Sequence, residues 1–129
     1  MKVILRDIKT PDGRVNHSLT LGREYVVLGI SGPYWRLLDD YGEPILFDPV
    51  CFEVTDPSEP AFWVSENEAG VRRASLPEWL VPGFFEKWHD KVESVQLAFA
   101  EQLAHWYPDH DDLRRSQGIS SLKKRKHRK

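Results

Sequence analysis

The sequence lacks several features on which common kinds of chemistry depend. It contains one cysteine, Cys51, so neither an internal disulfide nor a cysteine-based zinc site can form. Its eight glycines lack the Gly-x-Gly-x-x-Gly or Gly-Lys-Ser/Thr spacing of nucleotide-binding loops. No apolar run approaches the roughly 20 residues that span a bilayer, and no apolar segment of a secretory signal follows Lys2. These absences predict a cytoplasmic protein with no cofactor and no membrane partner.

The charges that are present are divided unevenly along the chain. Residues 1–113 contain ten Lys and Arg against all twenty Asp and Glu, a formal charge of −10. Residues 114–129 contain the other eight Lys and Arg and no acid. An acidic body repels nucleic acid and anionic membranes over most of its surface, and it attracts a basic partner or the tail itself. The tail has almost nothing to bury and is predicted to be disordered.

Short β-type runs separated by turn residues fill the first half of the chain. They are too close together for crossover helices, which predicts an antiparallel meander. Val3 and Leu5 alternate with polar residues in a first strand, and residues 24–30 read as one central strand. Residues 50–54 predict a strand with Val50, Phe52 and Val54 on one face and Cys51 on the other. Further strands are expected at 34–38, 45–47, 61–65 and 71–74.

The pattern changes to helix after residue 74. Ser75 with Glu78, and Asp90 with Glu93, have the spacing of helix-capping boxes. The second box is expected to open the longest helix, which Pro108 ends. The apolar stripe of that helix predicts a core-facing side, made of Val92, Val95, Phe99, Leu103 and Trp106. The class is therefore α+β and mainly β, a single domain over 1–113 with the barrel in about 1–74 and the helices in about 75–108.

Several of these segments resemble a known group of proteins. The segments are Leu19-Thr20-x-Gly22-x-x-Tyr25, the Asp40-x-Gly42-Glu43 hairpin, Phe52-Glu53-Val54, Pro82-Gly83-Phe84-Phe85-Glu86 and Trp88-His89-Asp90. Together they are similar to the small SH3-like barrels of bacterial and phage proteins that carry a C-terminal helical extension. The resemblance implies an antiparallel SH3-like barrel with two or three C-terminal helices, and a non-enzymatic module that binds protein or nucleic acid. By analogy with bacterial immunity proteins of this size and acidity, it also implies neutralisation of a toxin.

No catalytic residue and no metal site is expected. The segment Asp109-His110-Asp111-Asp112, with His105 one turn earlier, combines carboxylates and imidazoles, but it lies beyond the helix end, where nothing would orient the ligands. Asp90 beside His89 is better explained as a helix cap than as part of an acid–base pair. Cys51 has no neighbouring His or cluster of Lys and Arg to lower its pKa, which favours a structural thiol.

The partner-binding surface is expected on the meander. Barrels of this kind bind extended peptides along aromatic grooves, while packing under a helical extension is the alternative for the same side chains. Acidic residues around one hairpin would add a charge-complementary surface that raises the association rate. The predicted residues are Trp35, Asp39, Asp40, Tyr41, Glu43, Asp48 and Trp63.

The favoured function is a protein-binding module, most concretely an immunity or antitoxin-type inhibitor that docks a basic partner. The alternative is a small nucleic-acid-associated protein that uses its basic tail as a nonspecific tether. The tail has no interleaved aromatic residue for base stacking, so sequence-specific reading is not expected. The tether residues would be Lys123, Lys124, Arg125, Lys126, Arg128 and Lys129.

Overall fold

Eight short strands and two helices make up the part of the chain that the computed structural model describes, residues 1–110. The strands are β1 (Lys2–Leu5), β2 (Glu24–Val26), β3 (Gly29–Ser31), β4 (Tyr34–Leu38), β5 (Pro44–Phe47), β6 (Phe52–Asp56), β7 (Val64–Glu68) and β8 (Val71–Ser75). Two 3₁₀ turns cover Pro49–Cys51 and Pro77–Leu80, and the helices are α1 (Phe84–His89) and α2 (Glu93–Trp106). The chain divides after Val81 into two units, the first holding the strands and the second the helices.

The strands form two antiparallel sheets. One has the order β2-β1-β6 and the other the order β5-β4-β3-β8-β7. The predicted meander is confirmed for β3, β4 and β5, which are neighbours in sequence and in the sheet. It does not extend to β2 and β6, which both pair with β1. The predicted hairpin before the helices is also confirmed, although its first strand begins three residues later than expected. The class is α+β and mainly β, and the two sheets do not close into a barrel within the described residues.

The single strand predicted over residues 24–30 is wrong, because the chain changes sheet there. The Val27 N–H donates to the Met1 carbonyl at 2.9 Å, whereas the Leu28 N–H donates to the Arg36 carbonyl at 2.7 Å. Val27 therefore belongs to the first sheet and Leu28 to the second. Gly29 allows the close approach that follows, since a Cβ on it would lie 2.9 Å from the Ser75 Cβ.

The main core cluster of the first unit lies on the inner faces of its strands. Val3 and Leu5 are fully buried, as their alternation predicted. The cluster consists of Val3, Leu5, Leu19, Tyr25, Val27, Leu37, Phe47 and Cys51.

The strand predicted over residues 50–54 is wrong at its start, because β6 begins only at Phe52. Cys51 is 1% exposed, whereas Val50 and Val54 are 56% and 39% exposed. The reason is the 3₁₀ turn Pro49–Cys51, which interrupts strand alternation and turns the thiol inward. Asp48 caps this turn, accepting a hydrogen bond from the Val50 N–H at 3.0 Å.

Both predicted capping boxes are wrong. Ser75 is the last residue of β8, and its hydroxyl donates to the Leu76 carbonyl, while the following turn has no side-chain cap. Asp90 ends α1 instead of starting α2, its N–H donating to the Glu86 carbonyl. Lys91 then adopts a positive φ of 63°, which separates the two helices and moves the start of α2 to Glu93.

The amphipathic stripe of α2 is confirmed at its centre only. Phe99 and Leu103 are fully buried, whereas Val92 and Trp106 at the two ends are more than a third exposed. Within the second unit the Phe99 ring is surrounded by aromatic rings of α1. The centroids of Phe84, Phe85 and Trp88 lie 6.5, 5.8 and 6.2 Å from it. The helix ends at Trp106, two residues before Pro108.

Candidate functional site

The structure divides the predicted partner-binding residues between two places on the β4–β5 hairpin. Asp39, Asp40, Tyr41 and Glu43 form the turn that joins the strands, whereas Trp35 and Asp48 lie towards the opposite end of the hairpin. At about 3.3 Å per strand residue, Trp35 and Asp39 are separated by roughly 13 Å. The predicted residues therefore do not form one continuous site.

Asp39 shapes the turn from inside. It is 8% exposed, and its Oδ1 accepts hydrogen bonds from the N–H groups of Tyr41 and Glu43 at 3.0 and 2.9 Å. Its own N–H donates to the Glu43 carbonyl. A carboxylate engaged by two backbone donors stabilises the turn, and its burial limits the access of a partner.

Asp40 joins this turn to the loop that precedes β2. Its carboxylate accepts hydrogen bonds from the Thr20 hydroxyl at 2.6 Å and the Tyr25 hydroxyl at 2.7 Å, and it pairs with Arg23 at 3.0 Å. The Asp40 N–H also donates to the Ser18 carbonyl. These contacts hold the side chain at 23% exposure and give Asp40 a structural role.

Tyr25 is the buried member of that network, which sequence reasoning placed in a strand without any role. Its ring belongs to the core, and its hydroxyl accepts a hydrogen bond from the Thr20 N–H at 2.8 Å while donating to Asp40. Burial raises the pKa of the Tyr25 phenol to about 12, with the neighbouring Asp40 acting in the same direction. In the sequence, the only indication of a role for Tyr25 is its place in the Leu19-Thr20-x-Gly22-x-x-Tyr25 segment.

Tyr41 and Glu43 remain exposed at the tip of the turn. The Tyr41 side chain is 74% exposed, the largest value among the large hydrophobic residues described. Together they give this end of the hairpin one aromatic ring and one carboxylate that a partner could contact.

Two partly exposed aromatic residues, Trp35 and Phe52, pack against the core cluster and are called here the aromatic patch. The predicted Trp63 packs against the same cluster and directly precedes β7. The ring centroids of Trp35 and Phe52 are 6.2 Å apart. Phe52 also lies 6.4 Å from the rings of Tyr25 and Phe47, so the patch continues directly into the core. Strand alternation places Tyr34 on the opposite face of β4 from Trp35, and Tyr34 is 44% exposed.

Phe52 is not among the site residues predicted from the sequence, because its alternation with Val50 and Val54 indicates only a shared strand face. Its partial exposure follows from its position on β6, an edge strand of the smaller sheet. Asp48, at the end of β5, lies one residue beyond Phe47 and places a carboxylate next to this core.

The sign of the surface charge of the first unit depends on which carboxylates are paired with arginine. Residues 1–81 contain thirteen Asp and Glu against eight Lys and Arg. Five of those arginines each pair with a carboxylate, in Arg6–Glu53, Arg14–Asp12, Arg23–Asp40, Arg72–Glu59 and Arg73–Glu66. Such exposed pairs contribute little stability, but they neutralise the charge locally. Glu43 and Asp48 are outside these pairs and keep the surface near the hairpin acidic.

The remaining features concern Cys51, metal ligands, membrane-spanning helices and the basic tail. Burial raises the pKa of the Cys51 thiol, and the nearby carboxylates Asp7 and Asp48 act in the same direction. Within residues 1–110 no three His, Cys, Asp or Glu side chains are arranged to hold a metal ion. None of the helices there has the length and apolar character that crossing a membrane requires. The six tail residues of the predicted nucleic-acid tether lie outside the described residues.

No protein-family model matches the chain, and no match was found among the curated proteins or the solved structures.

Proposed function

We propose that this protein is a non-catalytic protein-binding module, most concretely an immunity-type inhibitor that docks a basic partner. The observation that carries the proposal is the aromatic patch, whose two rings pack against the core yet remain partly exposed to solvent. Aromatic side chains on a rigid support supply contact area at low entropic cost, which is why they dominate binding hot spots. The patch and Asp48 form the contact surface in this proposal.

We further propose that residues 1–56 form an SH3-like arrangement, open rather than closed. This arrangement is supported by the order of the first five predicted strands, by the change of sheet at Val27 and Leu28, and by the 3₁₀ turn before β6. Proteins of this architecture dock extended segments along aromatic-lined grooves. The proposed surface consists of Trp35 on β4, Asp48 directly after β5 and Phe52 on β6.

The charge of the body supports a basic partner. Complementary charge steers encounter and excludes acidic competitors, while the apolar contacts of the patch supply most of the affinity. Asp39 and Asp40 contribute to this field but are committed to internal hydrogen bonds. Neutralising them would disturb the turn, so Glu43 and Asp48 are the better carboxylates for testing electrostatic docking.

The test is recovery of the native partner with matched baits. Tagged full-length protein, a chain ending at residue 113, and the variants Trp35→Leu, Asp48→Asn and Tyr41→Ala are compared by quantitative mass spectrometry. Asn can still accept the capping bond from Val50, so Asp48→Asn removes charge without removing the cap. Circular dichroism and thermal unfolding first establish that each bait is folded.

We expect one basic protein to be enriched by the full-length, truncated and Tyr41→Ala baits, and depleted with Trp35→Leu and Asp48→Asn. Depletion with Tyr41→Ala alone would place docking at the hairpin turn and overturn the assignment to the aromatic patch. Enrichment of no partner by any folded bait would contradict the protein-binding function. A toxin reading frame adjacent to the gene would identify the partner directly.

The alternative function uses the tail as a nucleic-acid tether, and the sequence observation that favours it is the eight Lys and Arg in residues 114–129. Binding to a random duplex would then weaken steeply with salt, with a slope of log K against log salt near −5 if about six charges are engaged. The chain ending at residue 113 would not bind, because its formal charge is −10. Salt-independent or absent duplex binding would remove this alternative.

A further inference from the structure

The outer edge of β7 is exposed along its whole length. All five residues of Val64–Glu68 are exposed, whereas β2, β5 and β6, the other edge strands in the described part of the chain, each include less exposed residues. β7 pairs with β8 on one side, and no described strand pairs with its other side. Such an edge can accept an additional strand through its backbone groups.

The hairpin turn fixes which backbone groups point to that edge. Ala69 and Gly70 both have positive φ, 53° and 81°, as in the two-residue type I′ turn. In such a hairpin the flanking pair Glu68 and Val71 is hydrogen-bonded, and the next pair, Asn67 and Arg72, is not.

An independent contact on the other side of β8 gives the same alternation of backbone groups along the hairpin. The Arg72 carbonyl accepts a hydrogen bond from the Gly32 N–H at 2.7 Å, so the Arg72 backbone faces β3 and not β7. Its partner Asn67 must then direct its N–H and C=O away from β8. The same holds two residues earlier for Ser65, opposite Ala74. Two donors and two acceptors therefore line the open edge.

The side chains of β7 define the chemistry of a strand that could pair there. Val64, Glu66 and Glu68 share one face, because they alternate with Ser65 and Asn67. Glu66 lies between the two outward-facing residues, in the position where an added strand would bring its side chain closest. An antiparallel strand would thus place three alternate residues opposite Glu68, Glu66 and Val64 in turn.

A second copy of this chain is a poor occupant. The antiparallel register that pairs the whole strand places Glu66 opposite Glu66, and the register centred on Asn67 places Glu66 opposite Glu68. Like charges directly opposite each other destabilise a sheet pair. Glu66 pairs with Arg73 of its own chain at 3.2 Å but stays 47% exposed, so this exposed pair offsets the repulsion only in part and leaves Glu66 open to a basic side chain.

We infer that the edge of β7 is a strand-addition site for an extended segment of a basic partner, with the pattern basic-x-basic-x-apolar. The two basic residues pair with Glu68 and Glu66, the apolar residue packs on Val64, and the backbone bonds to Ser65 and Asn67. The site shares no residue with the aromatic patch, although Trp63 directly precedes it. It goes beyond the function proposed above in the conformation and residue pattern of the bound segment.

The experiment uses a defined peptide, acetyl-Thr-Lys-Thr-Lys-Thr-Val-Thr-amide, titrated into the ¹⁵N-labelled full chain to about 5 mM at low salt. Amide shifts and hydrogen exchange of Ser65 and Asn67 report on the edge. We expect both amides to shift and to gain protection, and the same peptide with Glu in place of Lys to leave them unchanged.

Two variants separate backbone pairing from charge. Asn67→Pro removes one outward N–H without removing a bond to β8 and should weaken peptide binding roughly two- to tenfold, whereas Asn67→Ala keeps the N–H and should bind as the natural chain does. The double change Glu66→Gln and Glu68→Gln should weaken binding by roughly two- to fivefold per charge. Glu101→Gln, which removes one charge from α2, should bind the peptide as the natural chain does. The readout at Ser65 and Asn67 does not depend on the aromatic patch, so a failure of the proposed function would leave this result unchanged.

Three outcomes would overturn the inference. They are unchanged Ser65 and Asn67 amides throughout the titration, equal binding by the Lys and Glu peptides, and equal affinity of the folded Asn67→Pro and Asn67→Ala variants. Peptide shifts confined to the aromatic patch would count in the same way, because they would place the extended ligand elsewhere.

Discussion

The buried tyrosine that links Asp40 to the core gives a prediction with a definite pH signature. Changing Tyr25 to Phe removes the hydroxyl that donates to Asp40 at 2.7 Å and accepts from the Thr20 N–H at 2.8 Å. The ring stays in the core, so the change isolates the hydroxyl. At neutral pH we expect a loss of about 1–3 kcal/mol in the free energy of unfolding, because two polar groups lose a partner.

The alkaline behaviour follows from the pKa difference between the two states. In the unfolded chain Tyr25 ionises near its usual pKa of about 10, whereas in the folded protein its pKa is about 12. A raised folded pKa means that the stabilisation is complete below pH 10 and is lost as the pH rises through 12. Two pKa units correspond to about 2.7 kcal/mol at most.

The assay is urea unfolding of the natural chain and Tyr25→Phe at several values between pH 8 and pH 12. Lysines and other tyrosines titrate in both proteins, so the difference between the two curves reports Tyr25 alone. The stability advantage of the natural chain should shrink above pH 10. Tyr41→Phe, at a ring that is 74% exposed, is the matched control and should leave the curve unchanged. A constant difference from pH 8 to pH 12 would refute the assigned burial of the phenol.

Three further experiments test the packing inside each of the two units. The Cys51 thiol, 1% exposed and with a raised pKa, should react with a disulfide reagent on the order of a hundredfold more slowly than in urea, and equal rates would contradict its burial. Gly29→Ala should cost about 1–3 kcal/mol, since its Cβ would lie 2.9 Å from the Ser75 Cβ; a neutral effect in chemical denaturation would show that the paired strands β3 and β8 can move apart there. Phe99→Ala should cost about 3–5 kcal/mol in unfolding free energy and Glu101→Ala less than about 0.5, and equal losses would contradict the orientation of α2.

Local signals in the sequence predicted the elements whose boundaries depend on nearby residues. Residues 34–38 form β4 as expected, and the turn containing Gly42 and the hairpin around Gly70 lie where their residues indicated. Positive φ at these glycines is a property of the turn itself, so the information is present within a few residues. The buried faces of β1 and of the centre of α2 follow from periodicity for the same reason.

Elements that depend on distant partners could not be predicted in this way. The break between β2 and β3 follows from hydrogen bonds to Met1 and Arg36, and the apolar run across residues 24–30 contains no signal for it. Ser75 has the spacing of a capping residue but is taken up by pairing with Gly29. A local pattern states what a residue can do, and the tertiary contact decides which of its options is used.

The candidate site shows the same limit more sharply, because carboxylates can serve either a partner or the fold. Asp39, Asp40, Glu43 and Asp48 look equivalent in the sequence, as acids around one hairpin. In the structure, Asp39 accepts hydrogen bonds from two backbone N–H groups. Asp40 accepts hydrogen bonds from two hydroxyl groups and pairs with Arg23. Each bond made inside the molecule removes a lone pair from recognition, so charge composition overstates the docking surface. Glu43 and Asp48 are therefore the carboxylates of this hairpin through which we expect a basic partner to be recognised.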